Sequence, residues 1–153
     1  MDDVINLNTK QELVKQQACF AKLTADEQQK LAALFIETNI PAGQTIVTEG
    51  DAVDSVFIII RGTADVRHLR VENDVIVADS IAQLSTGQAI GLNNAGFYSV
   101  SGLRTATVVA LTEMVLLRLS VAEFHGFALM NSHVNEIIRQ NASDALQQQD
   151  NRS

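Results

Sequence analysis

At 153 residues, 46% of them hydrophobic, the chain is long enough to bury one substantial core and too short for two ordinary domains. Its formal charge of −7 opposes the broad basic surface needed to neutralise nucleic-acid phosphates, so nucleic acid is not an expected partner. The single cysteine, Cys19, rules out an intramolecular disulfide framework, and no apolar run reaches membrane-spanning length. The N-terminus MDDVINLNTK is acidic where a secretory leader would be basic and then apolar, so the expectation is a cytoplasmic protein with no membrane partner.

In chain order, the spacing of Leu13, Val14, Gln17, Ala18 and Phe20 predicts a short amphipathic helix from Thr9 to about Phe20. Thr24-Ala25-Asp26-Glu27 is a capping box that opens a second helix. Leu31, Leu34, Phe35 and Thr38 form its inner stripe, and it ends before Pro41. The pattern then changes to short strands separated by glycine and acidic residues, as in a sandwich or barrel. Thr45 to Thr48 is one such strand, and the unbroken apolar run Val56 to Ile60 is a strand buried on both faces. Thr63 to Val71 alternates, with Ala64, Val66 and His68 on one face. Glu72-Asn73-Asp74 turns it into Val75 to Leu84, completing a hairpin. Thr105 to Thr112 and Met114 to Leu119 are two further strands meeting at Glu113. Ser120 caps a helix carrying Val121, Phe124, Phe127 and Ala128. A last helix, from about Ser132 to Leu146, aligns Val134, Ile137, Ile138, Ala142, Ala145 and Leu146 on one narrow stripe, and the tail from Gln147 is read as frayed.

The stretch GQAIGLNNAGFYSVSGLRTATVVA, from Gly87 to Ala110, departs from an ordinary all-β pattern. Asn93-Asn94 reads as the opening of one helical turn, and unpaired amide groups at a helix start form a natural anion site. Arg104, arriving from the next strand, supplies a planar fork able to grip two phosphate oxygens. Bland roles compete with each reading. Arg104 could pair with a carboxylate at a strand end, Gly62, Gly87 and Gly91 could be turn glycines, the asparagines could cap a turn, and Phe97 and Tyr98 could pack their own loop rather than cover a ring. His68, His125 and His133 do not converge with carboxylates into a metal set, and no nucleophile sits beside a base, so no catalytic residues are assigned and an enzyme is not expected.

Laid out in this order, the chain resembles the cyclic-nucleotide-binding domain family, from about Phe20 to Ile138. The resemblance rests on Phe20 to Glu27, Pro41-Ala42-Gly43-Gln44-Thr45-Ile46, Glu49-Gly50-Asp51, Phe57 to Val66 with its Arg61-Gly62-Thr63, and Arg104-Thr105-Ala106-Thr107-Val108. It implies a mainly β fold with flanking helices: a jelly-roll-like β-roll, or double-stranded β-helix, over about 40–119 with helices over about 9–38 and 120–147, as one domain spanning 1–153. It also implies a ligand, cAMP or cGMP or a related phosphate ligand, with no required cofactor. By position, Arg104 becomes the phosphate arginine, Thr105 its neighbouring hydroxyl, and the backbone from Gly91 through Leu92 and Asn93, Asn94 and Ala95 the anion cradle. The family places a glutamate for the ribose 2′-hydroxyl just after a glycine, and here that position is Leu92. The implied function is a stand-alone regulatory sensor whose C-terminal helices move on ligand occupancy and signal to a protein partner or through a homodimer. The alternative is a degenerate pseudo-sensor that keeps the roll as an interaction scaffold and binds no nucleotide.

Overall fold

The computed structural model of the chain describes residues 6–93, 96–97 and 102–150. Helices α1 (Leu7–Lys15) and α2 (Ala25–Leu34) flank a 3-10 turn (Ala18–Phe20). The strands follow: β1 (Ile36–Ile40), β2 (Thr45–Val47), β3 (Ser55–Arg61), β4 (Ala64–Glu72), β5 (Val75–Leu84), β6 (Ala89–Ile90), β7 (Leu92–Asn93), β8 (Gly96–Phe97), β9 (Thr107–Ala110) and β10 (Met114–Ser120). Helices α3 (Val121–Met130) and α4 (Ser132–Asp150) close the described chain. One antiparallel sheet has the order β1-β10-β3-β6, a second has β2-β9-β4-β5, and β7 pairs with β8. This is the expected β-roll with helices at its ends.

Strand β3 explains the layering. Its residues from Ser55 to Ile60 are all buried, and alternate side chains serve two different cores. Phe57 and Ile59 point between the sheets, joining Ile40, Ile90, Met114 and Leu116. Val56, Ile58 and Ile60 point the other way, into a cluster with Leu31, Phe35, Phe124 and Val134 from the helices. Neighbouring β10 splits likewise, Leu116 to one side and Leu117 and Leu119 to the other. A strand covered on both faces has no solvent side to carry polar residues, hence the unbroken apolar run.

Local signals operate as the sequence suggests. The Thr24 hydroxyl accepts from the Glu27 amide at 3.1 Å and the Glu27 carboxylate accepts from the Thr24 amide at 2.8 Å, completing the capping box. Ser120 caps α3 by accepting from the Glu123 amide at 3.0 Å. At the β4–β5 tip, Asn73 and Asp74 both take positive φ, 52° and 65°, as a tight two-residue hairpin demands.

Four boundaries differ from expectation. Helix α2 ends at Leu34; Phe35 turns extended, and 36–40 is the strand β1, with Thr38 opposite Leu116. The isoleucines and threonine of that segment favour a pleated partner over a further helical turn. The first helix stops at Lys15, and the 3-10 turn instead buries Cys19 and Phe20. Strand β9 starts only at Thr107, leaving Thr105 outside it. Helix α4 continues to Asp150, so 147–150 is helical; glutamines are good helix formers and no glycine or proline interrupts them. Within its stripe Val134 and Ile137 are buried against the roll while Ala142 is exposed. The first half of that stripe is therefore core.

Polar contacts fasten α4 to the N-terminal helices. The Asn141 amide donates to the Cys19 carbonyl at 2.9 Å, and His133 Nδ1 lies 2.8 and 2.9 Å from the two Glu27 carboxylate oxygens. Burial pushes the Cys19 thiol up to about 12, which makes it an inert packing residue. Burial also raises the Glu27 carboxyl, but the Thr24 amide and His133 more than offset this and hold it below its ordinary value.

Two outcomes follow. Gly62 has φ +100°, and a Cβ there would lie 2.6 Å from the Glu113 carbonyl oxygen and 2.7 Å from Met114 Cγ. Gly62→Ala should therefore lower the unfolding free energy by about 3 kcal/mol in urea titration. Because the Glu27 carboxyl is depressed in the folded chain, its contribution is complete above its ordinary value of 4.5 and is lost as pH falls through the folded one. Urea stability of the natural chain should thus fall more steeply below pH 4.5 than that of Glu27→Gln.

Candidate functional site

Strands β4, β5 and β6 and the segment ahead of β9 enclose a cavity of about 380 Å³. Val66, Ile81, Leu84 and Leu92 give it apolar walls, and Arg104 and His68 bring ionisable groups to it. A mostly apolar hollow with a few convergent polar groups is the usual form of a small-molecule site.

Arg104 is held in place by its own backbone. Its amide donates to the Asp51 carbonyl at 2.7 Å and its carbonyl accepts from the Gly50 amide at 2.9 Å, while Leu103 and Ala52 form a β-bridge beside them. The glycine and acid of Glu49-Gly50-Asp51 thus form the turn against which the arginine segment is clamped.

The side chain is only 6% exposed. Nη2 donates to the Ser55 carbonyl at 2.7 Å, and the exposed Asp54 carboxylate lies 3.7 Å away. Next to the Ser55 carbonyl, the Asp54 carbonyl accepts from the Val121 amide at the start of α3. Nη1 is buried and has no hydrogen-bond partner among the described residues. It faces Gly91, where a Cβ would come within 3.0 Å of it and within 3.2 Å of Val56 Cγ1, so the glycine (φ +91°) keeps this approach open. Burial lowers the guanidinium from its ordinary value; Asp54 opposes this, Arg118 adds to it, and Asp51 again opposes it. Guanidinium stays protonated through such a shift, so the site holds a partly desolvated positive charge with unused donor capacity.

Of the residues singled out in the sequence, Gly91, Leu92, Arg104 and Thr105 all line this cavity. Thr105 is exposed, and Leu92 is half-buried with its side chain against the helical core cluster. Asn93 does not open a helical turn. It lies in β7 opposite Gly96, with Leu92 opposite Phe97. Asn94, Ala95 and Tyr98 lie outside the described residues. Sequence reasoning missed Ser55, Ile81 and the place of His68. The alternation that set Val66 and His68 on one face was a usable signal for the last. Among the described residues no cluster of His, Cys, Asp and Glu could hold a metal, and no helix is long and apolar enough to cross a membrane.

Residues 37–131 match the family model described as the cyclic nucleotide-binding domain. The Pycsar effector protein XpPycTIR of Xanthomonas perforans is 31% identical over 110 residues, 70% of this chain and 33% of that protein, so the chain spans about a third of that relative's length. Among solved structures, the N-terminal domain of a transcriptional regulator from Streptomyces coelicolor A3(2) superposes with a TM-score of 0.76 at 23% identity, over 91% of this chain and 93% of that one. The regulatory domain of Toxoplasma gondii PKA, solved with cAMP, gives 0.69 at 17% identity over 83% and 46%. With the family model spanning the roll, the arginine segment within it and α3, the chain belongs to the cyclic nucleotide-binding domain family.

Proposed function

We propose that the chain is a regulatory sensor that takes a cyclic nucleotide into the 380 Å³ cavity, with the cyclic phosphate on Arg104. The observation that carries this reading is the orphaned Nη1 of a buried guanidinium. A buried donor without a partner is costly, and a phosphate oxygen arriving past Gly91 would satisfy it with a charge-assisted bond. The T. gondii PKA regulatory domain was solved with cAMP, which supports a ligand of this class. The chain's similarity to part of a protein named as an effector supports a regulatory role with its output carried elsewhere, through another module or a second copy. Occupancy would favour one arrangement of α3 and α4, by no more than the ligand's difference in affinity between arrangements.

Leu92 favours a second reading. With an apolar side chain where the family's ribose-binding glutamate stands, the roll could serve as a scaffold without nucleotide. Thermal unfolding with each of the four 3′,5′-cyclic mononucleotides separates the two. A ligand at about a hundred times its Kd adds about 2.7 kcal/mol, an upward shift on the order of 5–10 °C. At least one nucleotide should give that shift and Arg104→Ala should abolish it; no shift with any of the four leaves the scaffold. Leu92→Glu should tighten the binding of the preferred ribonucleotide by about one to two decades and leave its 2′-deoxy analogue unimproved, as isothermal calorimetry would record.

A further inference from the structure

We propose that His68 is the specificity-determining residue of this cavity: it reads the Watson–Crick edge of the nucleotide base and selects bases that carry an amino group, not a carbonyl, at purine C6 or pyrimidine C4. This rests on the reading that a cyclic nucleotide occupies the cavity with its phosphate on Arg104. With the phosphate there, the rest of the ligand must lie against the walls given by β4 and β5, where Val66, Ile81 and Leu84 are apolar and His68 is not.

Two features of these strands look built for a planar, polar-edged group. Register shifts between Val66 and Arg67: Val66 faces Ala82 and Arg67 faces Ser80, so Ile81 is the extra residue of a β-bulge. Such bulges re-aim a side chain, and Ile81 lines the cavity while 52% exposed, presenting an apolar surface at its wall. Two residues along β4 stands His68, half-exposed, with Nδ1 3.5 Å from a Glu49 carboxylate oxygen. That carboxylate is itself fixed, since the same oxygen accepts from the Leu69 amide at 3.1 Å and the Glu49 amide donates to the Thr107 hydroxyl at 3.0 Å.

A carboxylate facing Nδ1 favours the tautomer that carries its proton there, which leaves Nε2 as an acceptor. An acceptor attracts the amino group of adenine or cytosine and repels the carbonyl at the same place in guanine or uracil. Selection then follows edge chemistry and ignores ring size.

Calorimetry at pH 8 with cAMP, cGMP, cCMP and cUMP tests this. The natural chain should bind the amino member of each pair, adenine over guanine and cytosine over uracil, roughly tenfold tighter or more. In His68→Ala both ratios should collapse to within about threefold. His68→Gln, whose amide both donates and accepts, should keep affinity and lose the preference. Ile81→Ala should weaken all four alike and leave the ratios intact. The inference is overturned if the natural chain shows no amino preference, or if His68→Ala weakens all four equally with the ratios unchanged. Binding of none of the four overturns the cyclic-nucleotide reading as well, so the two failures are distinguishable.

Discussion

Everything in this molecule hangs on the burial of β3 from both sides. A strand with solvent on neither face holds the second sheet and the helices in fixed positions relative to one another, because each packs against alternate side chains of the same seven residues, Ser55–Arg61. Interiors of this density transmit displacement instead of absorbing it. The site inherits that rigidity. Ser55, the first residue of the strand, offers the carbonyl that holds Arg104, and Val56, the second, stands against Gly91 beside the orphaned nitrogen.

A charged fork in such a place is maintained against its own desolvation. The main chain at 104 is locked to the turn at 50–51 by two backbone hydrogen bonds, which fixes the point from which the guanidinium is projected. One carbonyl and one exposed carboxylate compensate part of the charge, and among the described residues the nitrogen Nη1 is left without a partner. Structural ion pairs usually satisfy both ends of the fork; preorganised binding groups keep donor capacity in reserve.

How far the sequence disclosed this depends on whether the deciding signal is local. The capping box at Thr24, the Asn73-Asp74 hairpin tip and the apolar run at 56–60 are all encoded within a few neighbouring residues, and each is found where the residues indicate. Strand β1 was hidden because Leu31, Leu34, Phe35 and Thr38 sustain a helical spacing through the boundary. Only the cross-chain pairing of Ile36–Ile40 with β10 decides in favour of strand. The ordered set of motifs indicated the roll and drew attention to Arg104, whereas Asn93, read as the opening of a helical turn, is paired with Gly96 in a strand. Ile81 enters the cavity through a register shift with β4, and no pattern internal to β5 announces it.

The junction at Ser120 carries one more implication. This residue ends β10 and caps α3, so no slack chain separates sheet from helix. Beside it, the carbonyls of Asp54 and Ser55 belong to successive peptide planes. One is tethered to the first amide of α3 and the other to the guanidinium. The two planes meet at a single α-carbon, that of Ser55. The roll therefore anchors the arginine and the root of the C-terminal helices on adjoining peptide units of one strand.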